Sequence, residues 1–375
     1  MGEAQRRARD EFYMRRAYRL ALKGAGRTSP NPMVGAVLVR SGHVIGAGYH
    51  RFAGADHAEI VALKRAGAKA RGATLYLTLE PCSHYGRTPP CVDALIRSGI
   101  KEVVCGTRDP NPLVAGRGFR RLRRAGVIVR VGILERECRL LIESFTKFIT
   151  QRLPFVTLKL AASLDGKIAA PSGDARWISG AESRRTVHRL RNTVDAVVIG
   201  SGTLRADDPQ LTCRIGGGRN PWRVVLDSQL AIRLSAKILH QKDTDKTIIV
   251  SGLRAPVSKA RAIESLGARV WQFRAGSGGV SWLSLLRKLA AAGVVSVLIE
   301  GGAKIAASAL KEKVVDKILF FYAPRIIGGD GIPMIGDLTL RRVRQALELQ
   351  NLRCAKSGND LVVTAYLTRA KRSHR

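Results

Sequence analysis

An alternation of strand-like and helix-like segments, run through once and then started again, is what most constrains this chain. From 34 to 145, β-rich runs (VGAVLV at 34–39, TLYLTL at 74–79, VVCGT at 103–107, VIVRVGI at 127–133) alternate with helical stretches at 57–70, 90–98, 116–125 and 135–149. Such alternation places strands in one sheet with helices covering it, a three-layer α/β arrangement. After Pro154 the pattern resumes with FVTLKLAAS, DAVVIGS (195–201), RVVLD (223–227), TIIVSG (247–252), ARVWQF (268–273), SVLIEGG (296–302), KILFFYAP (317–324) and LVVTAYLT (361–368). These runs are continuously apolar, as strands buried on both faces are. The chain therefore reads as two α/β domains, 1–150 and 154–370, and 375 residues are enough for two cores.

Ordinary fractions of apolar (45%) and charged (25%) residues exclude collagen-like, low-complexity and wholly disordered classes. The charge balance is unusual: 64 basic less 29 acidic residues leaves +35. Residues 1–150 carry 27 Lys/Arg and 12 Asp/Glu, net +15, and the remaining 37 and 17 give +20 to 151–375. The two parts are almost equally basic per residue, so the charge is not a nucleic-acid-binding arm attached to a neutral enzyme. The N-terminus has basic residues but no apolar run of a secretory signal, and no stretch is apolar enough to span a membrane. A soluble cytoplasmic protein is expected. The final RAKRSHR reads as a solvated tail. Six cysteines (82, 91, 105, 138, 213, 354) are too sparse for a disulfide scaffold, so in a reducing compartment a close pair points to metal or catalysis.

The strongest chemical signal is His57-Ala58-Glu59, followed after a helix and a strand by Pro81-Cys82 and then Cys91. One imidazole and two thiolates suit Zn2+, and three protein ligands leave a fourth position for water. Glu59 falls at a helix start, within reach of that water without being a ligand, as a general acid/base must. An H-x-E…P-C-x-x-C arrangement is the signature of zinc nucleobase deaminases. Here eight residues (SHYGRTPP) separate the cysteines where two are usual. Pro89-Pro90 suits a helix start that presents Cys91 from a helix N-terminus, where the dipole favours a thiolate. In the second half no G-x-G acquires the third glycine of a dinucleotide fingerprint. What remains is Glu300-Gly301-Gly302 between the strand SVLIE and a helix over 303–311, where glycines let a helix N-terminus approach a phosphate.

The stretch Thr78-Leu79-Glu80-Pro81-Cys82-Ser83-His84-Tyr85-Gly86-Arg87-Thr88-Pro89-Pro90-Cys91 resembles the long zinc motif of the bifunctional riboflavin-biosynthesis deaminase/reductase family. Pro30-Asn31-Pro32, Val34-Gly35, Asp109-Pro110-Asn111-Pro112 and Gly116-Arg117-Gly118 match the same domain. Lys159 to Lys167 (KLAASLDGK), Trp177-Ile178-Ser179, Gly202 to Pro209 (GTLRADDP), Leu211-Thr212 and Glu300-Gly301-Gly302 resemble its second domain. The resemblance runs from about residue 11 to 368. It implies a cytidine-deaminase-like α/β/α domain followed by a dihydrofolate-reductase-like α/β domain. It also implies zinc-dependent deamination of 2,5-diamino-6-ribosylamino-4(3H)-pyrimidinone 5′-phosphate, then NADPH-dependent reduction of the ribosyl side chain to ribityl.

By motif position the resemblance makes His57, Cys82 and Cys91 the zinc ligands and Glu59 the catalytic acid/base. Asn31 would hydrogen-bond the pyrimidine, His50 and His84 would line the pocket, and Asn111 with the Gly116–Gly118 backbone would contact ribose or phosphate. NADPH would be held by Ala161, Trp177, Thr203, Asp207, Ser228 and the helix start Gly302, Ala303, Lys304, Ile305, Ala306, Ala307 and Ser308. Arg191, Leu211, Arg214 and Glu300 would hold the substrate, the two arginines suiting its 5′-phosphate. Ala175, where a Ser often binds substrate, and Ser144, where an Asn is common, depart from the family pattern. From the residues alone, Trp177 is also compatible with a core aromatic and Asp207-Asp208 with a solvated turn. The expected partner is a small phosphorylated pyrimidine, with no specific nucleic acid and no membrane, in a homo-oligomer (dimer or tetramer). Two other classes remain open on the sequence: an RNA-editing or nucleoside zinc deaminase with an accessory domain, and a basic RNA-binding module around a structural zinc, which needs four protein ligands.

Overall fold

The computed structural model describes residues 2–84, 89–276 and 279–368, in two compact units, Met1–Leu153 and Pro154–Arg375. Tyr85–Thr88 of the inter-cysteine insert, and the C-terminal tail read above as solvated, lie outside the described residues.

In the first unit the elements run α1 (Glu3–Leu22), β1 (Gly35–Arg40), β2 (His43–Tyr49), α2 (Ala58–Ala66), β3 (Thr74–Leu79), α3 (Cys91–Arg97), β4 (Glu102–Thr107), α4 (Arg117–Arg124), β5 (Ile128–Val131), α5 (Glu135–Leu141) and α6 (Glu143–Gln151). The sheet order is β2-β1-β3-β4-β5, with β1 antiparallel to both neighbours and β3, β4 and β5 parallel. Leu75, Leu77, Val103 and Cys105 turn to one face, onto Ala58, Ala62, Val92, Leu95, Phe119 and Leu122 of α2, α3 and α4. Tyr76 and Val104 turn to the other, onto Tyr13, Met14 and Ala17 of α1. Alternate residues pointing to opposite faces, both covered, explain why these strands read as unbroken apolar runs. Neither α1 nor β2 stood out in the sequence. The apolar stripe of α1 is only Tyr13, Met14, Ala17 and Ala21 among many arginines, and β2 is a half-exposed edge rich in glycine.

The second unit runs β6 (Phe155–Ser163), β7 (Lys167–Ala169), α7 (Ala181–Thr193), β8 (Ala196–Gly200), α8 (Ser201–Asp207), β9 (Trp222–Leu226), β10 (Thr247–Gly252), α9 (Val257–Ser265), β11 (Arg269–Phe273), the short β12 (Ala275–Gly276) and β13 (Gly279–Val280), α10 (Trp282–Ala291), β14 (Ser296–Glu300), α11 (Ala303–Lys311), β15 (Lys317–Ala323), the short β16 (Ile332–Pro333), β17 (Leu349–Ser357) and β18 (Asp360–Leu367). Nine strands form one sheet in the order β11-β10-β9-β8-β14-β6-β15-β18-β17, parallel as far as β15 and antiparallel through β18 and β17. Because β14 inserts between β6 and β8, chain direction across the sheet reverses there. Ligands of open α/β sheets bind in such a crevice, at the carboxyl ends of the strands. Strand β17 was not recognisable as a strand because eight of its nine residues are exposed, so no apolar alternation marks it.

Candidate active sites

In the first unit, His57 is the residue capping α2, Cys82 follows β3 and Cys91 opens α3. The Cys91 Sγ lies 3.2 Å from His57 Nδ1 and the Cys82 Sγ 3.7 Å from the same nitrogen, while the Cys91 backbone N–H donates to Cys82 Sγ at 3.3 Å. The three ligand atoms lie within 4.8 Å of one another. Cys91 beside it, followed by His57, holds the Cys82 thiol down, to about 4, whereas Cys82 and burial push Cys91 up. Two thiols placed so that one readily carries charge while the other keeps its proton, beside an imidazole, make a donor set that a soft-to-borderline dication satisfies. The residues present fit zinc.

Glu59, in the first turn of α2, is 3% exposed, with its carboxyl in hydrogen-bonding reach of Cys91. Burial pushes its pKa up, against the pull of His57, so this carboxyl holds a proton more readily than a solvated one. Together with His57 and Cys82 it lines a cavity of about 400 Å³. On the cavity wall Asn31 Nδ2 donates to His50 Nε2 at 3.1 Å, and His50 Nδ1 donates to the Asp56 carbonyl at 3.1 Å. Burial lowers the pKa of His50, which keeps the ring neutral and able to accept this bond. Asn31 Oδ1 is thereby turned outward as an acceptor. The buried Nδ1 of His84 has no partner among the described residues. Asn111 also lines the cavity, its Oδ1 taken by the Leu113 N–H at 3.0 Å.

The Gly116–Gly118 backbone departs from expectation. The N–H groups of Gly116 and Gly118 donate to the carboxylate of Glu80, at 2.9 and 3.0 Å, and are not offered to a ribose or phosphate. The glycine at 118 is needed for close approach: a Cβ there would lie 2.4 Å from the Pro81 carbonyl oxygen. Several cavity residues went unnoticed in the sequence. Phe145, Phe148 and Ile149 of α6 form an apolar wall, and Asp109, buried beside Glu80, has its pKa pushed up to about 7. The spacing of ESFTKFI showed a helix but not which cavity its apolar face would line.

In the second unit the expected cofactor residues gather along the carboxyl edge of the parallel strands: Ala161 near the end of β6, Thr203 and Asp207 in α8 after β8, Ser228 after β9, and Gly302 at the start of α11. The N–H of Gly302 donates to Thr203 Oγ1 at 3.2 Å, which brings the starts of α8 and α11 together. A Cβ at Gly301 would lie 2.1 Å from Ile305 Cγ2, so only glycine fits. Two helix N-termini meeting at one crevice fit a dinucleotide's phosphates. Trp177 is 63% exposed, with the Arg184 guanidinium 4.7 Å from its ring, which excludes a core aromatic. Asp207 is exposed at the end of α8, and the neighbouring Asp208 accepts from the Lys237 N–H, so the second acid belongs to the turn.

Some expected contacts need correction. Ile305, Ala306 and Ala307 are all enclosed in the core, and Ser308 Oγ accepts from Trp282 Nε1 at 3.0 Å, leaving Gly302, Ala303 and Lys304 at the crevice. The Leu211 side chain, 2% exposed, packs with Val197, Ile199 and Val225 and so offers a ligand no side-chain surface. Arg191 and Glu300 bind each other: Nε and Nη2 donate to the two carboxylate oxygens at 2.7 and 2.9 Å, and Nη1 to the Thr212 carbonyl at 3.2 Å. Arg191 is therefore not a free phosphate ligand, whereas Arg214 is exposed, with Nη2 bonded only to Gln210. Lys159, which opens the KLAASLDGK motif but has no role assigned from the sequence, lies against this pair, its Nζ 5.7 Å from the Phe321 ring centre. Nothing among the described residues accounts for the departures at Ala175 and Ser144.

Fold and sites together define a two-part enzyme, a zinc-binding deaminase followed by a reductase. Residues 7–107 match the cytidine and deoxycytidylate deaminase zinc-binding region, and residues 154–363 match the RibD C-terminal domain. The chain belongs to the RibD family of riboflavin-biosynthesis proteins. It is 44% identical over 355 residues to the riboflavin biosynthesis protein RibD of Aquifex aeolicus, covering 94% of this chain and 97% of that one. To the Escherichia coli protein it is 39% identical over 341 residues, covering 86% and 89%. Among solved structures it is similar to Acinetobacter baumannii RibD (TM-score 0.86, 35% identity, 97% of this chain and 100% of that). It is likewise similar to the diaminohydroxyphosphoribosylaminopyrimidine deaminase/5-amino-6-(5-phosphoribosylamino)uracil reductase of Thermotoga maritima (TM-score 0.82, 37% identity, 97% and 100%). The reading of the sequence as a fused deaminase and reductase of riboflavin synthesis therefore holds, and the RNA-editing alternative is not favoured. Among the described residues no helix is long and apolar enough to cross a membrane.

Proposed function

We propose that the first unit deaminates 2,5-diamino-6-ribosylamino-4(3H)-pyrimidinone 5′-phosphate and that the second reduces the ribosyl side chain of the product with NADPH. The observation that carries this reading is the His57, Cys82 and Cys91 cluster with buried Glu59 at one cavity, in the same chain as a crevice built from two helix starts. His57, Cys82 and Cys91 would hold zinc, which would supply the activation of a water for attack on the amino-bearing ring carbon. Glu59 moves the proton, from water to the leaving amino group, and burial, which raises its pKa, favours the protonated form it passes through. Asn31 Oδ1 accepts from the pyrimidine, its amide fixed by His50, and Asn111 Nδ2 and His84 offer further polar contacts.

In the second unit the starts of α8 and α11, with Thr203, hold the cofactor phosphates, Ala161 and Ser228 border the same edge, and exposed Trp177 contributes a further contact to the cofactor. Arg214 takes the substrate phosphate, and the Arg191–Glu300 pair orients the sugar. A cytoplasmic homo-oligomer is part of this proposal. The test is to incubate the purified protein with the diaminopyrimidinone ribotide, with and without NADPH, and to analyse products by mass. Exchange of one amino group for oxygen is expected without NADPH, and addition of two hydrogens only with it; an unchanged ribotide would refute the reading.

A further inference from the structure

Glu80 directly follows the buried strand β3, just before Pro81-Cys82, and is 3% exposed. Its oxygens collect four backbone N–H groups: Oε2 from Asp109 at 3.2 Å and Gly116 at 2.9 Å, Oε1 from Gly118 at 3.0 Å and Phe119 at 3.3 Å. No basic side chain pairs with it among the described residues. The donors all belong to the loop 109–116 and the first turn of α4, so the carboxylate sits at the positive end of that helix, where backbone groups stabilise an anion. One side chain thus joins the strand end that carries Cys82, the loop that carries Asp109 and Asn111, and the start of α4. The fit is close, since a Cβ at 118 would lie 3.2 Å from Glu80 Oε1. Downstream in the loop, Asp109 Oδ1 accepts from the Asn111 N–H at 2.8 Å and Asn111 Oδ1 from the Leu113 N–H, which leaves Asn111 Nδ2 without a partner among the described residues.

We propose that Glu80 is a positioning residue for deamination, an internal anion that fills the N-terminus of α4 and so sets the loop presenting Asn111 to the substrate in register with Cys82. This rests on the deaminase reading of the first unit. It also means that the substrate phosphate is held elsewhere, because the N–H groups that would receive it are occupied.

The test is Glu80→Gln in the full-length, zinc-loaded protein. Glutamine keeps the size but faces two of the four N–H groups with an NH₂, losing charge-assisted bonds whose combined worth corresponds to ~10-fold or more in binding. KM for the diaminopyrimidinone ribotide should rise ~10-fold with kcat nearly unchanged and the zinc content intact, and amide exchange over 109–119 should accelerate. Asn111→Ala should raise KM similarly, and the double variant should be no worse than Asn111→Ala alone, since residues acting through one another are not additive. An unchanged KM, effects that multiply in the double variant, or joint loss of kcat and zinc would each overturn the proposal. A wild-type protein that leaves the ribotide untouched would refute the deaminase reading instead. In that case exchange still decides what Glu80 does: unaltered protection of 109–119 in Glu80→Gln would show that it does not hold the loop.

Discussion

Glu300→Gln should destabilise the second unit far more than an exchange of one oxygen for one nitrogen would cost at a surface. The side chains of Arg191 and Glu300 are 13% and 10% exposed and meet through two parallel bonds of 2.7 and 2.9 Å. Burial pushes the Glu300 carboxyl up, but the charge and hydrogen bonds of Arg191, with Lys159, outweigh it and hold the group below the ordinary range. Glutamine leaves one acceptor, turns an NH₂ toward a guanidinium nitrogen, and strands Arg191 and Lys159 without their counter-charge. Breaking a buried pair from one side costs about 3–5 kcal/mol, and the retained acceptor places this case near 3. All four tryptophans (177, 222, 271, 282) lie in the second unit, so tryptophan fluorescence during urea unfolding of the whole chain reports that unit alone. With a slope of about 2–3 kcal/mol/M for a unit of this size, the midpoint should fall by roughly 1–1.5 M. Arg191→Met with Glu300→Met should recover part of the loss, because the apolar pair removes the stranded guanidinium and also the repulsion it exerts on Lys159, although Lys159 still lacks its counter-charge. A midpoint shift below roughly 0.3 M for Glu300→Gln, or a double variant as unstable as the sum of its singles, would refute the reasoning.

The purified protein should contain about one zinc per chain, and Cys82→Ser should lose it, as elemental analysis after dialysis will show. Glu59→Gln should keep zinc and fold but lose deamination by ~10²-fold or more, while reduction of pre-deaminated substrate persists; parallel loss of both activities would mean that Glu59 is structural. Asp165 accepts from Ser163 Oγ at 2.6 Å and from the Gly328 N–H at 2.8 Å, which with the Ile327 N–H hold its carboxyl at about 2, below the ordinary 3.8. A depressed pKa stabilises the fold fully above about 3.8 and loses that effect as pH falls toward 2. Asp165→Asn should therefore lower the urea midpoint at pH 6, and the gap to the parent should close as the pH is taken below 4; a gap independent of pH would contradict the assignment.

Residues that act through their own side chains were legible in the sequence, and residues that act through what they hold were not. His57, Cys82 and Cys91 could be read because metal chemistry restricts each position to a few residue types and helix starts fix their spacing. Glu59 followed from its place in the first turn of α2, two residues after His57. By contrast, a glutamate directly after a buried strand in TLEPC looks like any polar residue at a strand exit; only the fold brings four N–H groups to Glu80 from a segment some thirty residues away. The run 302–308 failed in a different way. A helix start was correctly located, but carrying a role onto seven consecutive residues takes no account of burial, and Ile305, Ala306 and Ala307, which together span more than half the helix circumference, are all enclosed. For Arg191 the residue type suited phosphate, yet type alone could not show that Glu300, over a hundred residues later, satisfies it first.

The two units use the same element in opposite ways. Both place a helix start at the carboxyl end of a sheet, the position from which backbone N–H groups attract an anion. At α4 the anion is the protein's own: Glu80 saturates the N–H groups of Gly116, Gly118 and Phe119, and the helix start becomes a rigid joint. At α11 no carboxylate among the described residues accepts from the first turn, and the one bond at its cap goes to the neutral hydroxyl of Thr203. Glu300 is the acid nearest to that start in sequence, and its charge is committed to Arg191. An acid at the end of the preceding strand that has its own guanidinium partner leaves the helix dipole uncompensated, and an uncompensated dipole facing a crevice is what a phosphate needs. The Arg191–Glu300 pair, to which the proposed function gives the substrate side of the crevice, therefore has a second consequence. By keeping Glu300 away from the N-terminus of α11, it preserves the positive helix start at which the cofactor phosphates bind in the proposed function.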